Sequence, residues 1–452
     1  MYIKNFNELA SHGDTILRKE LLNTIEAALE RVDPYRLTKE LVRVNDGKLT
    51  VSDLQFDMNR LGRIYVTGAG KATYPIARAL EEMLGDRISD GLIIVKEDEP
   101  RALSRIKVVR ACHPLPSESG LRAAQDIVRM ASNSNSNDLF LVAFTGGSSA
   151  LMPCPVEGVS LEEKRQITRL LLGSGATIRE INAVRKHLSQ TKGGGLAKIM
   201  APATIVNLTV SDVIGDPLDC ITDPSVTDPS TFDDAVRTLK NYDLWNRAPM
   251  SITDYLSKAT ADQETLKDYG NLRVHSFILA NNVMAAEASR DYLRERGFDA
   301  QVLTTSLEGE SREVGYVLAA ITSEIAQHDR PLKKPAACVC AGETLVRLEE
   351  ETELAGLGGP SQELAVAMAT RLPSGNRAAG VFLDTDGSDG PTAFAGAIVD
   401  SETARRARSL DIDLYESLKK HQVSEALEQL SDAIVTGPTG TNVMDLAVVI
   451  IP

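Results

Sequence analysis

The chain has 452 residues, 43% of them hydrophobic, a formal net charge of −14 and five cysteines. That length exceeds one ordinary core and predicts two domains. The acidic balance argues against a general nucleic-acid or anionic-membrane surface, and so few cysteines in so long a chain make no secreted disulfide framework.

In chain order, residues 14–45 read as helical, with apolar positions at Ile16, Leu17, Leu21, Ile25, Leu29 and Val32. A short β-rich run at 63–66 enters the loop Gly68-Ala69-Gly70-Lys71 and leaves as a helix over 72–84. Strands are expected at 91–96 and 106–110, the latter ending at His113-Pro114, followed by a helix over 119–131. A strand at 138–144 runs into Thr145-Gly146-Gly147-Ser148-Ser149. Residues 160–172 form a helix, with Ser160 and Glu163 spaced as a capping box. The strand 204–210 ends in Ser211-Asp212-Val213-Ile214-Gly215-Asp216. This alternation predicts a mostly parallel, doubly wound α/β sheet.

Residues 246–274 are polar and weakly patterned and mark a candidate boundary. Beyond them, strands are expected at 276–279, 300–304, 337–340, 380–383 and 447–451, with amphipathic helices at 283–295 and 362–370. The second half is therefore α/β as well. Cys338 and Cys340 lie two apart in an apolar run, a spacing that favours core packing over a metal or redox pair. No apolar run nears the roughly 20 residues that span a bilayer, and the first residues carry no charged-then-apolar leader. The expected setting is a reducing cytoplasm without a membrane partner.

The chemistry is expected at the strand ends, where open α/β sheets bind ligands. Gly68, Gly70 and Lys71 suit an anion-binding turn, with bare N–H groups and one point charge. The spacing is not that of a Walker A loop, and Thr73 stands where a dinucleotide fingerprint has its third glycine. Thr145, Gly146, Gly147, Ser148 and Ser149 offer three hydroxyls and two glycines to a carboxylate or phosphate. The main basic stretch, residues 181–196, contains Arg185 and Lys186 before a glycine run and reads as an anion clamp. Asp212 and Asp216 in one half, and Asp386 and Asp389 in Asp384-Thr385-Asp386-Gly387-Ser388-Asp389-Gly390, could hold Mg²⁺ or accept a hydroxyl proton. His113-Pro114 and Asn281-Asn282 are weaker candidates, each able to line a cleft or cap a helix.

These segments, with Glu180-Ile181-Asn182, Gly342-Glu343-Thr344 and Thr436-Gly437-Pro438-Thr439-Gly440-Thr441-Asn442-Val443, resemble in order and spacing the glycerate 2-kinases whose C-terminal part is called the MOFRL domain. The resemblance covers most of the chain. It implies a Rossmann-like N-terminal domain over residues 1–270, a smaller α/β C-terminal domain over 271–452 and a cleft between them. It also implies ATP and Mg²⁺ as cofactors and D-glycerate as acceptor of the phosphoryl group at its 2-hydroxyl; a homodimer is the assembly to consider. By that resemblance Lys71, Asp212, Asp216 and Arg185 are candidate catalytic residues. Lys186, Asn281, Thr439 and Asn442 join the glycine and hydroxyl loops as candidate ligand contacts, and Asp386 and Asp389 as metal ligands. Three departures fall in ligand loops. Gly358-Gly359-Pro360-Ser361-Gln362-Glu363 lacks the arginine of the family's G-G-R-N-Q-E, and Thr145 to Ser149 replaces S-G-G-G-S. Thr222-Asp223-Pro224-Ser225 places a carboxylate where the family has glycine, which would repel a nearby anion. The alternatives are a non-catalytic relative that binds a larger hydroxy acid or sugar acid, and a hydroxypyruvate reductase.

Overall fold

A computed structural model describes residues 1–97, 99, 101–348, 357–372 and 377–452 of the chain. It divides into two compact units, each discontinuous in sequence. The first comprises residues 34–211 and 216–279; the second comprises 1–33, 212–215 and 280–452. The division expected near residue 270 thus lies at 279/280, and the first 33 residues pack with the second unit. The expected single helix over 14–45 is two helices, Thr15–Arg31 and Pro34–Leu41, followed by the strand β1 (Val42–Asn45). The residue before a proline is pushed out of helical geometry, so Asp33-Pro34 both breaks the helix and marks the crossing between units.

In the first unit β1, β2 (Lys48–Val51) and β3 (Leu54–Asp57) form a small antiparallel sheet that the sequence pattern did not reveal. The main sheet contains β4 (Ile64–Ala69), β5 (Ile88–Lys96), β6 (Lys107–Ala111), β7 (Leu139–Phe144), β8 (Thr204–Val210) and β9 (Arg273–Ala280), in the order β6-β5-β4-β7-β8-β9. The pairings β4–β5, β4–β7, β5–β6 and β7–β8 are parallel. Strands buried on both faces read as continuous apolar runs, as in Leu139–Phe144, where every residue is buried. The order reverses direction between β4 and β7, the switch point at which such sheets open a crevice beyond their carboxyl ends.

Among the described residues the second unit has six strands, in the order β10-β11-β15-β12-β13-β14. They are β10 (Asp299–Leu307), β11 (Ala336–Gly342), β12 (Ala379–Asp384), β13 (Gly396–Asp400), β14 (Ala433–Ile434) and β15 (Asp445–Ile451). Only β10 and β11 pair in parallel; β15 inserts antiparallel between β11 and β12. Alternate residues of β11 feed opposite cores: Cys338 and Cys340 one face, Ala337, Val339 and Ala341 the other. Burial pushes both thiols up to about 12, as unreactive core cysteines require. The helix Thr15–Arg31 lays Leu17, Leu21, Ile25 and Leu29 on that second face. Its fully buried Arg18 is held by Asp400 and by Asp432 at 2.7 Å, which fastens the N-terminus to this unit.

Candidate functional site

In the first unit the two glycine loops stand side by side at the switch point, at the ends of β4 and β7. The Lys71 amide donates to the carbonyl of Gly146 at 2.9 Å. The Thr145 hydroxyl accepts the Ala72 amide at 3.1 Å and contacts the Thr73 hydroxyl at 3.3 Å. Thr145 is fully buried, so it ties the loops together rather than facing a ligand, a revision of its expected role. Gly70 has φ +145, and a Cβ there would overlap Thr145, which explains its residue type. Thr73 spends its hydroxyl on the carbonyl of Ala143 at 2.9 Å, so this turn is built differently from a dinucleotide fingerprint. Gly147 has φ +87; a Cβ there would lie 3.4 Å from Lys71 Cγ and 3.3 Å from the His113 ring. Lys71, His113 and the hydroxyl loop therefore share one place.

The basic stretch folds beside this loop. Thr177 and Glu180 form a capping box that starts the helix Ile178–His187, whose last turn carries Arg185, Lys186 and His187. Lys186 is buried and bonds Asp219 Oδ2 at 2.9 Å and Asp228 Oδ1 at 3.0 Å. Burial opposes its charge, but Asp223, Asp228 and Asp219 prevail and raise its pKa. It is a structural cation, not the free clamp expected. Lys186, Asp219 and Asp228 line a cavity of about 380 Å³ between this helix and Phe232–Asn241, and the glycine loops are not part of its lining. His187 is likewise structural, buried with Nε2 2.6 Å from Glu264. Among the described residues, the Arg185 guanidinium has no hydrogen-bond partner; burial lowers its pKa and Asp223 is the charge that opposes this.

Lys192 is the residue that sequence reasoning undervalued. Its ammonium donates to Ser149 Oγ at 2.8 Å and to Asp223 Oδ2. Asp223 Oδ1 also accepts the Gly193 amide at 2.6 Å. The carboxylate expected to repel an anion is thus neutralised by a lysine and a main-chain N–H. Both side chains of the pair are only 6% exposed. Lys192 has a lowered pKa through burial, offset by Asp223 and reinforced by repulsion from Arg185 and Lys186. Asp216 belongs to this unit, with φ 54, whereas Asp212 belongs to the other.

The second unit gathers the remaining candidates at the ends of β11, β12 and β15. Asn442 Nδ2 donates to Asp212 Oδ2 at 3.1 Å. Thr439 Oγ1 donates to the Thr385 carbonyl at 2.6 Å, and the Thr439 amide to the Asp386 carbonyl at 3.2 Å. Asp386 Oδ1 accepts the amide of Ser388 at 2.8 Å and its hydroxyl at 2.9 Å. Asn281 accepts the Met284 amide at 3.0 Å and caps the helix Asn282–Arg294.

Asp389 is 1% exposed. It accepts the Ser361 amide at 3.1 Å, the Gln362 amide at 2.8 Å and Gln362 Nε2 at 3.0 Å. These bonds cap the helix Pro360–Arg371. Proline serves at the first position of that helix, where its missing N–H costs nothing. Burial raises the Asp389 carboxyl to about 7, against the pull of the Gln362 and Ser361 donors, with repulsion from Asp386 adding to it.

Two further carboxylates emerge only from strand register. Asp445 stands opposite Asp384 on β12 and Gly342 on β11. Burial, then repulsion from Asp384, Asp389 and Glu343, raises the Asp445 carboxyl well above its ordinary value. Like charges placed directly opposite each other are destabilising. A divalent cation would relieve that repulsion, and carboxylate oxygens are the donors magnesium takes. Among the described residues no three Asp, Glu, His or Cys side chains converge as a ready-made metal cage. The donor set therefore fits an ion held by one or two carboxylates and completed by water and phosphate oxygens. Among the described residues no helix is long and apolar enough to cross a membrane.

A family model described as Domain of unknown function (DUF4147) matches residues 20–257, and a MOFRL family model matches residues 336–445. The chain is similar to the Glycerate 2-kinase of Pyrococcus horikoshii, with 41% identity over 439 residues, covering 96% of this chain and 97% of that protein. It is 38% identical over 437 residues to the D-glycerate 2-kinase of Thermotoga maritima, covering 96% and 98%. A crystal structure of glycerate kinase from Thermotoga maritima superposes with a TM-score of 0.84 at 35% identity, covering 97% of this chain and all of that one.

Proposed function

From the premise that this chain belongs to the glycerate kinase family, we propose that it transfers the γ-phosphoryl group of ATP to the 2-hydroxyl of D-glycerate. It is a phosphotransferase acting on an alcohol group of a small hydroxy acid, with ATP as the phosphate donor. The observation that carries the residue assignment is Arg185, whose guanidinium lacks a hydrogen-bond partner among the described residues beside the Lys192–Ser149 contact.

A guanidinium grips a carboxylate through two parallel N–H donors. Arg185, with Lys192 and Ser149, holds the carboxylate of the acceptor. Lys71, at the edge of the hydroxyl loop, contacts the transferring phosphoryl group. Phosphoryl transfer leaves little covalent chemistry to the protein; positioning and charge neutralisation supply most of the rate. The hydroxyl attacks in line, and its proton passes to Asp212 or Asp216, the aspartates that follow β8. In the second unit Asp386 and the Asp384–Asp445 pair would hold Mg²⁺. When bound, that ion neutralises the nucleotide's phosphate charge. Thr439 and Asn442 shape the same turn.

The test is a coupled assay with Mg-ATP over a panel of C3 to C6 hydroxy acids, with the product identified by NMR. D-glycerate giving 2-phosphoglycerate is expected. Turnover only with a larger acid would move the acceptor assignment, and binding without turnover for every acid would end the kinase reading.

A further inference from the structure

One buried cation lies outside the machinery assigned so far. Lys164, on the helix Leu161–Leu172, is 4% exposed. Its ammonium donates to the carbonyl of Leu188 at 2.9 Å and to that of Arg185 at 3.4 Å. These are among the last carbonyls of the helix Ile178–His187, where a cation satisfies acceptors the helix leaves open. The charged and titratable groups that act on Lys164 most strongly are Lys192, Arg185, Cys154 and Asp223. Four cations there, Lys164, Arg185, Lys186 and Lys192, face three carboxylates, Asp219, Asp223 and Asp228. The cluster is short of negative charge, and an acceptor carboxylate would supply it.

We propose that Lys164 is a positioning residue that holds the turn bearing Arg185, and that its charge couples acceptor binding to the uptake of a proton. This rests on the assignment of Arg185 and Lys192 to the acceptor carboxylate. Burial, then repulsion from Lys192 and Arg185, lowers Lys164 to about 7, with Cys154 and Asp223 acting the other way. Above that pH the side chain is largely neutral, though its amine still donates to the carbonyls. An anion on Arg185 and Lys192 favours the charged form, so binding at pH 8 draws a proton from solvent. Affinity for D-glycerate then falls as pH rises past about 7, by about tenfold if the bound anion raises Lys164 by about one pH unit.

Titration calorimetry of the full chain with D-glycerate at pH 8, in buffers of different ionisation enthalpy, measures that uptake directly and needs no variant. For that shift of about one pH unit, uptake of about 0.4 proton is expected at pH 8, absent from Lys164→Met. That variant should bind D-glycerate about tenfold more weakly at pH 6 with a flat profile to pH 9. Lys164→Arg, charged throughout, should restore binding and also be flat. A purely structural lysine would leave the pH profile in place. No uptake by the wild type, or an unchanged profile in Lys164→Met, overturns the proposal. Arg185→Ala separates the two levels. If it weakens D-glycerate binding while the wild type takes up no proton, only the Lys164 role fails. If it leaves D-glycerate binding unchanged, the carboxylate assignment fails as well.

Discussion

The two units handle charge in opposite ways. In the first, buried cations outnumber the carboxylates around the hydroxyl loop, yet each buried carboxylate is matched: Asp223 by Lys192 and Gly193 N–H, Asp228 by Lys186 and Thr265. In the second, repulsion from Asp384, Asp389 and Glu343 at the strand ends adds to burial in raising Asp445. Desolvation penalises both arrangements. A surplus of positive charge is relieved by an anionic substrate, and a surplus of negative charge by a divalent cation or by protons. Under the proposed function the difference is a division of labour, with the acid assigned to the first unit and the metal ion to the second.

The largest effect should come from breaking the matched pair. Asp223→Ala leaves Lys192 buried beside other cations and should destabilise the protein by about 3–5 kcal/mol in denaturant unfolding. A near-neutral result would show that the first unit does not depend on matched burial. Lys71→Ala should keep the melting temperature and lower turnover with D-glycerate at least about 100-fold, since a lost transition-state charge contact costs that much. Equal turnover would remove Lys71 from the reaction.

In the second unit, Asp445→Asn relieves repulsion from Asp384, so the melting temperature should rise while the Mg²⁺ concentration for half-maximal activity increases about tenfold, as removal of one metal-facing carboxylate predicts. Unchanged Mg²⁺ dependence would leave the acidic cluster without a role in metal binding. The smallest effect is a slope. Asp389 keeps its proton in the folded protein up to about 7, whereas the unfolded chain loses it near 3.8. Its contribution is present below 3.8 and lost as pH rises through about 7. Asp389→Asn should therefore flatten the fall in melting temperature across that window; an unaltered slope would assign it to other carboxyls.

Much of the scaffold was legible before any coordinates. Thr204–Val210 is a strand with the bounds read from the sequence, and the capping box of Ser160 and Glu163 forms as spaced. Apolar runs bounded by glycine and aspartate give that information locally. The short antiparallel strands β1 to β3 were missed because Val42–Asp57 is half exposed and mixes polar with apolar residues. β13 was missed because Gly396–Asp400 follows a glycine- and proline-rich turn that reads as loop. Arg185 and the two glycine loops were singled out as candidates from composition and position. Lys192 and Lys164 were undervalued, since a lysine in a basic stretch or on a helix looks like a solvated charge until its burial is known.

The sequence by itself determined the alternation of strands and helices, the turns that carry glycine and hydroxyl groups, and the family those turns belong to, because backbone preference and hydrophobic period act over a few residues. Only the tertiary structure decided which charges meet. Arg18 finds Asp400 and Asp432, Lys192 finds Asp223, and Asp384 faces Asp445 across a strand pair. Coulomb energy depends on separation and on exclusion of water, and both are set by folding between residues tens to hundreds of positions apart.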